Sequence, residues 1–191
     1  MNKLHSADCG WPGDDELMRE YHDREWGTAL HNDARLFEFM LLDTFQAGLS
    51  WKIVLHKREN FSKAFDDFDV NKIAVYDELK IQELIHDASI IRNQAKIRAA
   101  VTNAQAFLRI QAEYGTFDQY IWQFTQGKTL VNQWKEMSEI PARSAESDAM
   151  SKSLIQHGFK FVGTTICYAF MQAAGMINDH LVSCSRYECC K

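Results

Sequence analysis

The sequence has only two prolines, Pro12 and Pro141, and it lacks strand-length stretches in which apolar and polar residues alternate. A chain with few helix breakers and no period-two pattern is predicted to be all-α. No apolar run approaches the roughly 18 residues of a membrane span, and the N-terminal MNKLHSADCGW lacks the apolar stretch of a signal peptide. We therefore expect one cytoplasmic domain that covers residues 1–191 and has no membrane partner.

Helices are predicted where a capping residue precedes apolar residues at spacings near 3.6. The predicted starts are Asp33, Asp69, Ser89 and Thr116. Gly115 is predicted to end the long helix that follows Ser89.

The formal net charge is −5, but the charges are segregated along the chain. Residues 88–112 contain no acid and carry Arg92, Lys96, Arg98 and Arg109, and residues 149–178 contain no acid and carry Lys152 and Lys160. Such segments are typical either of solvated helix faces or of a nucleic-acid-binding face on an acidic protein. Composition leaves both interpretations open.

The five cysteines are an odd number in a chain without a visible export signal, and this favours reduced thiols over disulfides. A cysteine with a function is therefore expected to bind metal. Cys189 and Cys190, close to the end of the chain, are possible ligands to which no role is assigned.

His180 and Cys184 stand four residues apart, which is by itself a weak signal for half of a metal site. Cys9 and His22, near the other end of the chain, would complete a set of two cysteines and two histidines. Four such ligands fill a tetrahedral zinc shell and leave no position for water. The set predicts one structural zinc ion that clasps the two ends of the chain together.

Seven blocks of sequence occur in the order CGW, YHDREWG, LFEFMLLDTFQAGLSW, KRENF, ESDAMSKSL, GFKFVGTTICYAFMQAAG and NDHLVSC. Together they resemble the DNA-3-methyladenine glycosylase I family, and the pair QAGLSW and GFKFVGTT is highly specific. The resemblance implies an all-helical helix-hairpin-helix glycosylase that excises 3-methyladenine from alkylated DNA. It also implies zinc bound through Cys9, His22, His180 and Cys184.

The resemblance implies roles for three further residues. Tyr21 and Trp51 match the family's pocket aromatics, which suit the delocalised cation of a methylated purine; without the resemblance, core packing would account for both rings. Asp43 matches the family's pocket acid, where members commonly have glutamate, and its side chain is one methylene shorter. Met18 lies where many members have an aromatic residue. Both departures bear on pocket shape and base selectivity.

The FKFVGTT block is predicted to contact the DNA backbone. Gly163 allows close approach of the main chain, and Thr164 and Thr165 are expected to cap the next helix, whose free N–H groups would face a phosphate. Lys160 would add positive charge beside it. An ordinary loop with a helix cap accounts for the same residues, but the acid-free neighbourhood favours phosphate.

Two functions are consistent with these features, and a third is excluded. The favoured one is a monofunctional glycosylase, expected to be a monomer, that hydrolyses the N-glycosidic bond in double-stranded DNA and leaves an abasic site. A zinc-clasped module that binds damaged DNA without cleaving it is the alternative. A zinc hydrolase would need an open coordination position, which four protein ligands exclude.

Overall fold

The structure, a computed structural model, describes residues 9–191, most of which are helical. The α-helices are α1 (Glu16–Arg24), α2 (Asp33–Gln46), α3 (Trp51–Leu55), α4 (Arg58–Ala64), α5 (Val70–Ile73), α6 (Glu78–His86), α7 (Gln94–Tyr114), α8 (Phe117–Trp122), α9 (Ala145–Gln156) and α10 (Thr164–Ala173). Short 3-10 turns cover Asp66–Phe68, Gln123–Thr125, Met137–Glu139 and Glu188–Cys190. Within these residues, no helix has the length and apolar character needed to cross a membrane.

Two of the four predicted helix starts are confirmed, since Asp69 caps α5 and Thr116 caps α8 with their side chains. The prediction at Asp33 is off by one residue, because Asn32 is the cap of α2. The Asp33 carboxylate instead accepts hydrogen bonds from the first two amides of α8, at 2.9 and 2.8 Å. It therefore caps a helix that is distant in sequence.

The predicted start of the longest helix at Ser89 is wrong. The Asp87 carboxylate accepts a hydrogen bond from the Ser89 amide and holds the chain in a local turn. The helix α7 begins only at Gln94, with the Asn93 side chain as its cap. Gly115 ends α7 as predicted, with φ of 89°.

The helix α2 lies at the centre of the core. All of its residues from 36 to 45 are buried, and α3, α7, α8 and α10 pack around it. A helix that is enclosed on every side needs apolar residues all round, as in LFEFMLLDTF. Asp43 is consequently held in the interior although it is an acid.

A short parallel strand pair is the exception to the predicted all-α fold. Strand β1 (Leu130–Val131) pairs with β2 (Ile177–Asn178), in the register Leu130 to Ile177. The pairing places the segment after α8 beside the chain that leads to His180.

Candidate active site and metal cluster

Four buried side chains converge from the two ends of the chain. Cys9 precedes α1, His22 lies in its last turn, and His180 and Cys184 follow β2. Their ligand atoms all lie within 4.8 Å of one another. The structure therefore brings together the four residues that the sequence predicted as one metal-binding set.

The separations in this cluster fit a tetrahedral ion. Zinc bonds of about 2.3 Å to sulfur and about 2.05 Å to nitrogen place neighbouring sulfur and nitrogen ligands about 3.6 Å apart. The Cys184 Sγ is 3.5 Å from His180 Nδ1 and 3.7 Å from His22 Nε2, and the Cys9 Sγ is 3.6 Å from His180 Nδ1. The donor set and its spacing fit a metal ion held by four protein ligands.

The second ring nitrogen of each histidine already has a partner outside the cluster. His22 Nδ1 lies 2.7 Å from a carboxylate oxygen of Asp23, and His180 Nε2 lies 3.0 Å from the carbonyl oxygen of Trp26. Such contacts fix the tautomer of a metal-binding imidazole. They leave His22 Nε2 and His180 Nδ1 to face the cluster.

The state of Cys184 also suits a ligand. Hydrogen bonds to Cys9, His180 and His22 lower the pKa of this thiol to about 2, against the opposing effect of burial. A thiolate is the form that binds metal. The backbone is equally constrained here, because a Cβ on Gly27 would lie 2.8 Å from His180 Nε2.

Neither remaining cysteine near the chain end belongs to this set. Cys189 is exposed, and Cys190 is buried but accepts a hydrogen bond from Arg186 at 3.6 Å. Among the described residues, the group that could hold a metal ion consists of the four predicted ligands alone.

A cavity of about 190 Å³ lies beside the cluster. Its walls include Tyr21 from α1, Asp43 from α2 and Trp51 from α3, so the three predicted pocket residues share one space. The rings of Tyr21 and Trp51 are 5.1 Å apart and inclined at 44°. Each comes from a different helix, which explains why their proximity is not visible in the sequence.

Tryptophans that sequence reasoning did not single out complete the aromatic wall. Trp11 and Trp26 both line the cavity and lie edge-on to each other at 5.3 Å. Both were present in the motifs CGW and YHDREWG. Because nothing in a single sequence separates a pocket ring from a core ring, their role was missed.

Three buried polar atoms of the cavity walls have no hydrogen-bond partner among residues 9–191. They are Asp43 Oδ2 and the indole Nε1 atoms of Trp11 and Trp51. Buried polar groups are normally paired, and each exception calls for an explanation. All three atoms belong to residues that line one aromatic cavity, and one acceptor with two donors matches a flat ligand that has both kinds of group.

The electrostatics of the cavity centre on Asp43, which is 2% exposed. Burial raises the pKa of its carboxyl well above the ordinary value of 3.8. Burial, and then the charge of Asp43, raise the pKa of the Tyr21 phenol. An ionised Asp43 would therefore be stabilised by a cation bound in the cavity.

Asp179 joins the cavity wall to the four possible metal ligands. Its buried carboxylate accepts hydrogen bonds from Asn132, Trp134, Tyr168 and Gln172, at 2.6 to 2.8 Å. Gln172 lines the cavity, and Asp179 directly precedes His180. Each carboxylate oxygen has two donors, so this acid is fully satisfied, in contrast to Asp43.

The predicted DNA-contacting residues Lys160, Gly163, Thr164 and Thr165 lie together at the start of α10. Lys160, Gly163 and Thr165 are exposed. The expectation that the threonines cap this helix is wrong, because α10 starts at Thr164 and Gly163 occupies the cap position. The Thr164 hydroxyl instead donates a hydrogen bond to the carboxylate of Asp148 on α9.

Gly163 is not required by the fold. Its φ is −61°, and a Cβ added to it would meet no atom within 4 Å. The open space in front of this helix start is where an anion would be bound by free N–H groups.

The turn between α2 and α3 presents an apolar side chain next to the cavity. Gly48, with φ of 79°, allows the sharp change of direction, and Leu49 is 40% exposed. Leu49 lies between two residues that line the cavity, Gln46 and Trp51.

The acid-free segment 88–112 forms only part of the basic surface that its composition allowed, because Arg92 and Arg109 are exposed whereas its other two cations are buried or paired. Lys96 is buried, and Arg98 forms an ion pair with Glu78 at 2.6 Å. Arg109 donates to the carbonyl oxygen of His157. Charge counting missed these contacts because they are tertiary.

The sequence profile of the methyladenine glycosylase family matches residues 11–187. The chain belongs to this family. This match covers nearly the whole chain, and it confirms the resemblance that the motifs indicated.

Two bacterial members of the glycosylase family are similar over almost their whole lengths. The DNA-3-methyladenine glycosylase 1 of Escherichia coli is 46% identical over 179 residues, which are 94% of this chain and 96% of the relative. The DNA-3-methyladenine glycosylase of Haemophilus influenzae is 41% identical over 176 residues, 92% of this chain and 95% of the relative.

A solved glycosylase structure has the same fold. The 3-methyladenine DNA glycosylase I from Staphylococcus aureus, described in terms of 3-methyladenine recognition, superimposes with a TM-score of 0.92 at 32% identity. The match covers 96% of this chain and 97% of that one. Thus the helical fold around the cavity is the glycosylase fold.

Proposed function

We propose that this protein is a monofunctional DNA-3-methyladenine glycosylase of base-excision repair. It acts as a single-domain monomer on double-stranded DNA, hydrolyses the N-glycosidic bond of 3-methyladenine and leaves an abasic site. The observation that carries the proposal is the aromatic cavity with three unpartnered buried polar atoms, from Asp43, Trp11 and Trp51. Similarity to named glycosylases over more than nine-tenths of the chain supports it.

The cavity suits a flipped, methylated adenine. N3-methylation makes the nucleotide's base cationic and weakens its bond to deoxyribose, so the enzyme needs little acid catalysis. Aromatic faces of Tyr21 and Trp51 attract a delocalised cation, with each ring contributing about 0.5–2 kcal/mol when desolvated. Adenine offers an amino donor and ring-nitrogen acceptors, which complement the Asp43 carboxylate and the indole N–H groups.

Asp43 is the proposed catalytic residue. Its carboxylate accepts from the base and offsets positive charge on the sugar as the bond breaks, a charge that is greatest in the transition state. Although aspartate is one methylene shorter than glutamate, a bridging water can span the difference, at an entropy cost of roughly 0–2 kcal/mol.

The DNA backbone is held by the start of α10. Lys160 supplies charge, while the amides of Gly163, Thr164 and Thr165 donate hydrogen bonds to a phosphate at the helix N-terminus. Leu49 is the side chain proposed to fill the gap left in the base stack. It is large, apolar and exposed beside the cavity, and flipping requires the lost stacking to be replaced.

A structural zinc ion is proposed for Cys9, His22, His180 and Cys184. When bound, it supplies a fixed cross-link between the chain ends and takes no part in bond cleavage, because four protein ligands complete its shell. Its location behind the tryptophan wall suits this supporting role.

The test is chromatography of the bases released from methylated duplex DNA by the purified protein. We expect free 3-methyladenine and intact abasic strands. A non-catalytic module that only binds damaged DNA would retain affinity for the duplex and release no base, so this assay separates the two functions.

A further inference from the structure

The helix α7 carries a buried lysine that binds the end of another helix. Lys96 Nζ donates to the carbonyl oxygens of Phe45, at 2.8 Å, and of Ala47, at 2.5 Å. Phe45 lies in the last turn of α2 and Ala47 is its C-cap residue, so neither carbonyl has a partner within the helix. A cation is favoured at a helix C-terminus. The ammonium thereby fixes the start of the turn formed by residues 47–50, which bears Leu49.

The same helix carries a buried asparagine that binds a second loop. Asn103 Nδ2 donates to the carbonyl oxygen of Lys160 at 3.1 Å, and Asn103 Oδ1 accepts from the Lys160 amide at 2.8 Å. One side chain thus satisfies both backbone groups of one residue in the loop 157–163. This loop leads directly into the start of α10.

The second loop contains a backbone conformation that needs such support. Phe161 is an exposed aromatic residue with φ of 56°. This left-handed backbone conformation is strained for any residue with a bulky side chain. Asn103 holds Lys160 on one side of it. On the other side, the Ser151 hydroxyl donates to the Val162 carbonyl oxygen at 2.7 Å.

Lys96 and Asn103 are seven residues apart, so they lie on one face of α7 about 10.5 Å apart along its axis. We propose that α7 is a spacer, in which Lys96 and Asn103 are positioning residues that set the separation between the turn 47–50 and the loop 157–163. The proposal rests on the proposed function, in which these two segments contact one DNA duplex.

A fixed spacing matters because the two segments act on the same substrate at the same time. The loop 157–163 places the duplex, and the turn 47–50 must then meet the stack at the flipped base. A misplacement of about 1 Å is enough to cost on the order of a hundredfold in rate when groups must meet in one geometry. The cavity itself includes neither Lys96 nor Asn103.

The test compares Lys96→Met and Asn103→Ala in two assays on the folded protein. The first is single-turnover excision from a duplex that contains one 3-methyladenine, and the second is binding of free 3-methyladenine, followed by tryptophan fluorescence. We expect each variant to lose about tenfold or more in excision, while free-base affinity changes less than about twofold. The double variant should lose less than the product of the two single losses, because both act on one spacing.

Matched controls come from equivalent bonds elsewhere. Lys57 Nζ donates to the Ser89 carbonyl oxygen at 2.7 Å, and Gln105 on α7 donates to the Ala74 carbonyl oxygen at 2.9 Å. Lys57→Met and Gln105→Ala should leave excision unchanged. If Lys96→Met or Asn103→Ala does not fold, Lys96→Arg and Asn103→Asp take their places, since each keeps one part of the original contact.

Three results would overturn the spacer: unchanged excision, a parallel loss of free-base affinity, or equal losses in the controls. Failure of the proposed function is a different outcome, in which the wild-type protein itself releases no base. In that case, the spacer is tested by the affinity of the variants for a duplex that contains an abasic-site analogue. Weakening by the two α7 variants and not by the controls supports the spacer, and equal affinities reject it.

Discussion

His180 and Trp26 connect the cluster of four possible metal ligands to the cavity. The Nε2 of His180 donates to the Trp26 carbonyl oxygen at 3.0 Å, and the two rings lie edge-on at 4.6 Å. Because Trp26 lines the cavity, the imidazole that faces the cluster also supports the base-binding wall. Binding of the proposed zinc ion should therefore support both stability and base binding.

Metal content is the first prediction. The protein purified without added metal should contain close to one zinc ion per chain, and Cys184→Ala should lose it. The melting temperature should fall by on the order of 10 °C, since each kcal/mol shifts it about 2–4 °C for a chain of this size. Elemental analysis and thermal unfolding measure these quantities. Cys189→Ala, which removes an exposed thiol, is the control and should match the wild type.

The predictability of this cluster differs from that of the helix boundaries. Cys9, His22, His180 and Cys184 could be grouped from sequence because their chemistry is shared by few residue types and needs a full set of ligands. Asp33 could not be assigned, since it resembles a cap for its own helix and caps α8 through a tertiary contact. Local signals cannot show such a contact.

The same limit applies to the cavity and the basic residues. Tyr21, Asp43 and Trp51 were predicted through the resemblance, whereas Trp11 and Trp26 are indistinguishable from core aromatics until the helices are packed. Lys96 was counted as surface charge, but it is buried against the end of α2. A lysine reveals such a role only through the carbonyl groups that surround it.

The activity of Asp43 variants is the second prediction. Asp43→Asn should lower single-turnover excision by about tenfold or more, because it removes a charge that matters most in the transition state. Asp43→Glu keeps the charge and should retain most of the wild-type rate. Because the pKa of Asp43 is raised, the wild-type rate should begin to fall with decreasing pH while the pH is still above 3.8. A wild-type-like rate in Asp43→Asn would remove Asp43 from the mechanism.

The stability of Asp43→Asn is the third prediction. Because burial raises the pKa of Asp43, the folded state binds this proton more tightly than the unfolded chain, and stability falls as pH rises above 3.8 through the folded-state pKa. Asparagine does not ionise, so the Asp43→Asn variant does not lose this stability as pH rises. Its melting temperature should exceed that of the wild type at neutral pH, and the difference should shrink toward pH 4. A difference that does not vary with pH would contradict the buried-carboxylate explanation.

The salt dependence of DNA binding is the fourth prediction. Affinity for any duplex should fall steeply with salt despite the net charge of −5. Lys160→Ala should reduce the salt slope by about one and weaken binding uniformly across sequences. Fluorescence anisotropy over a salt series measures both. A flat salt dependence of the wild type would rule out the proposed phosphate contacts.

A related change at Gly163 separates DNA contact from folding. The position has φ of −61° and open space where a Cβ would stand, so Gly163→Ala should keep the wild-type melting temperature. It should nevertheless weaken duplex binding, because the methyl group occupies the approach of the phosphate. Base preference should not change, since phosphate contacts position the duplex and do not read bases.

The fifth prediction concerns Leu49, which is 40% exposed on the turn beside the cavity. Leu49→Ala should lower single-turnover excision from duplex DNA by about tenfold or more, because the gap left by the flipped base is no longer filled and part of the stacking energy, a few kcal/mol per step, is not replaced. Affinity for free 3-methyladenine should not change, since the cavity walls are untouched. Excision of the same base from a mismatched pair should be reduced less, because such a base is already easier to extrude.

Ile53→Ala is the control, since Ile53 is an exposed apolar residue on α3, 44% accessible, that does not line the cavity. Equal losses from Leu49→Ala and Ile53→Ala would show that general apolar contact, and not insertion of Leu49, supports flipping.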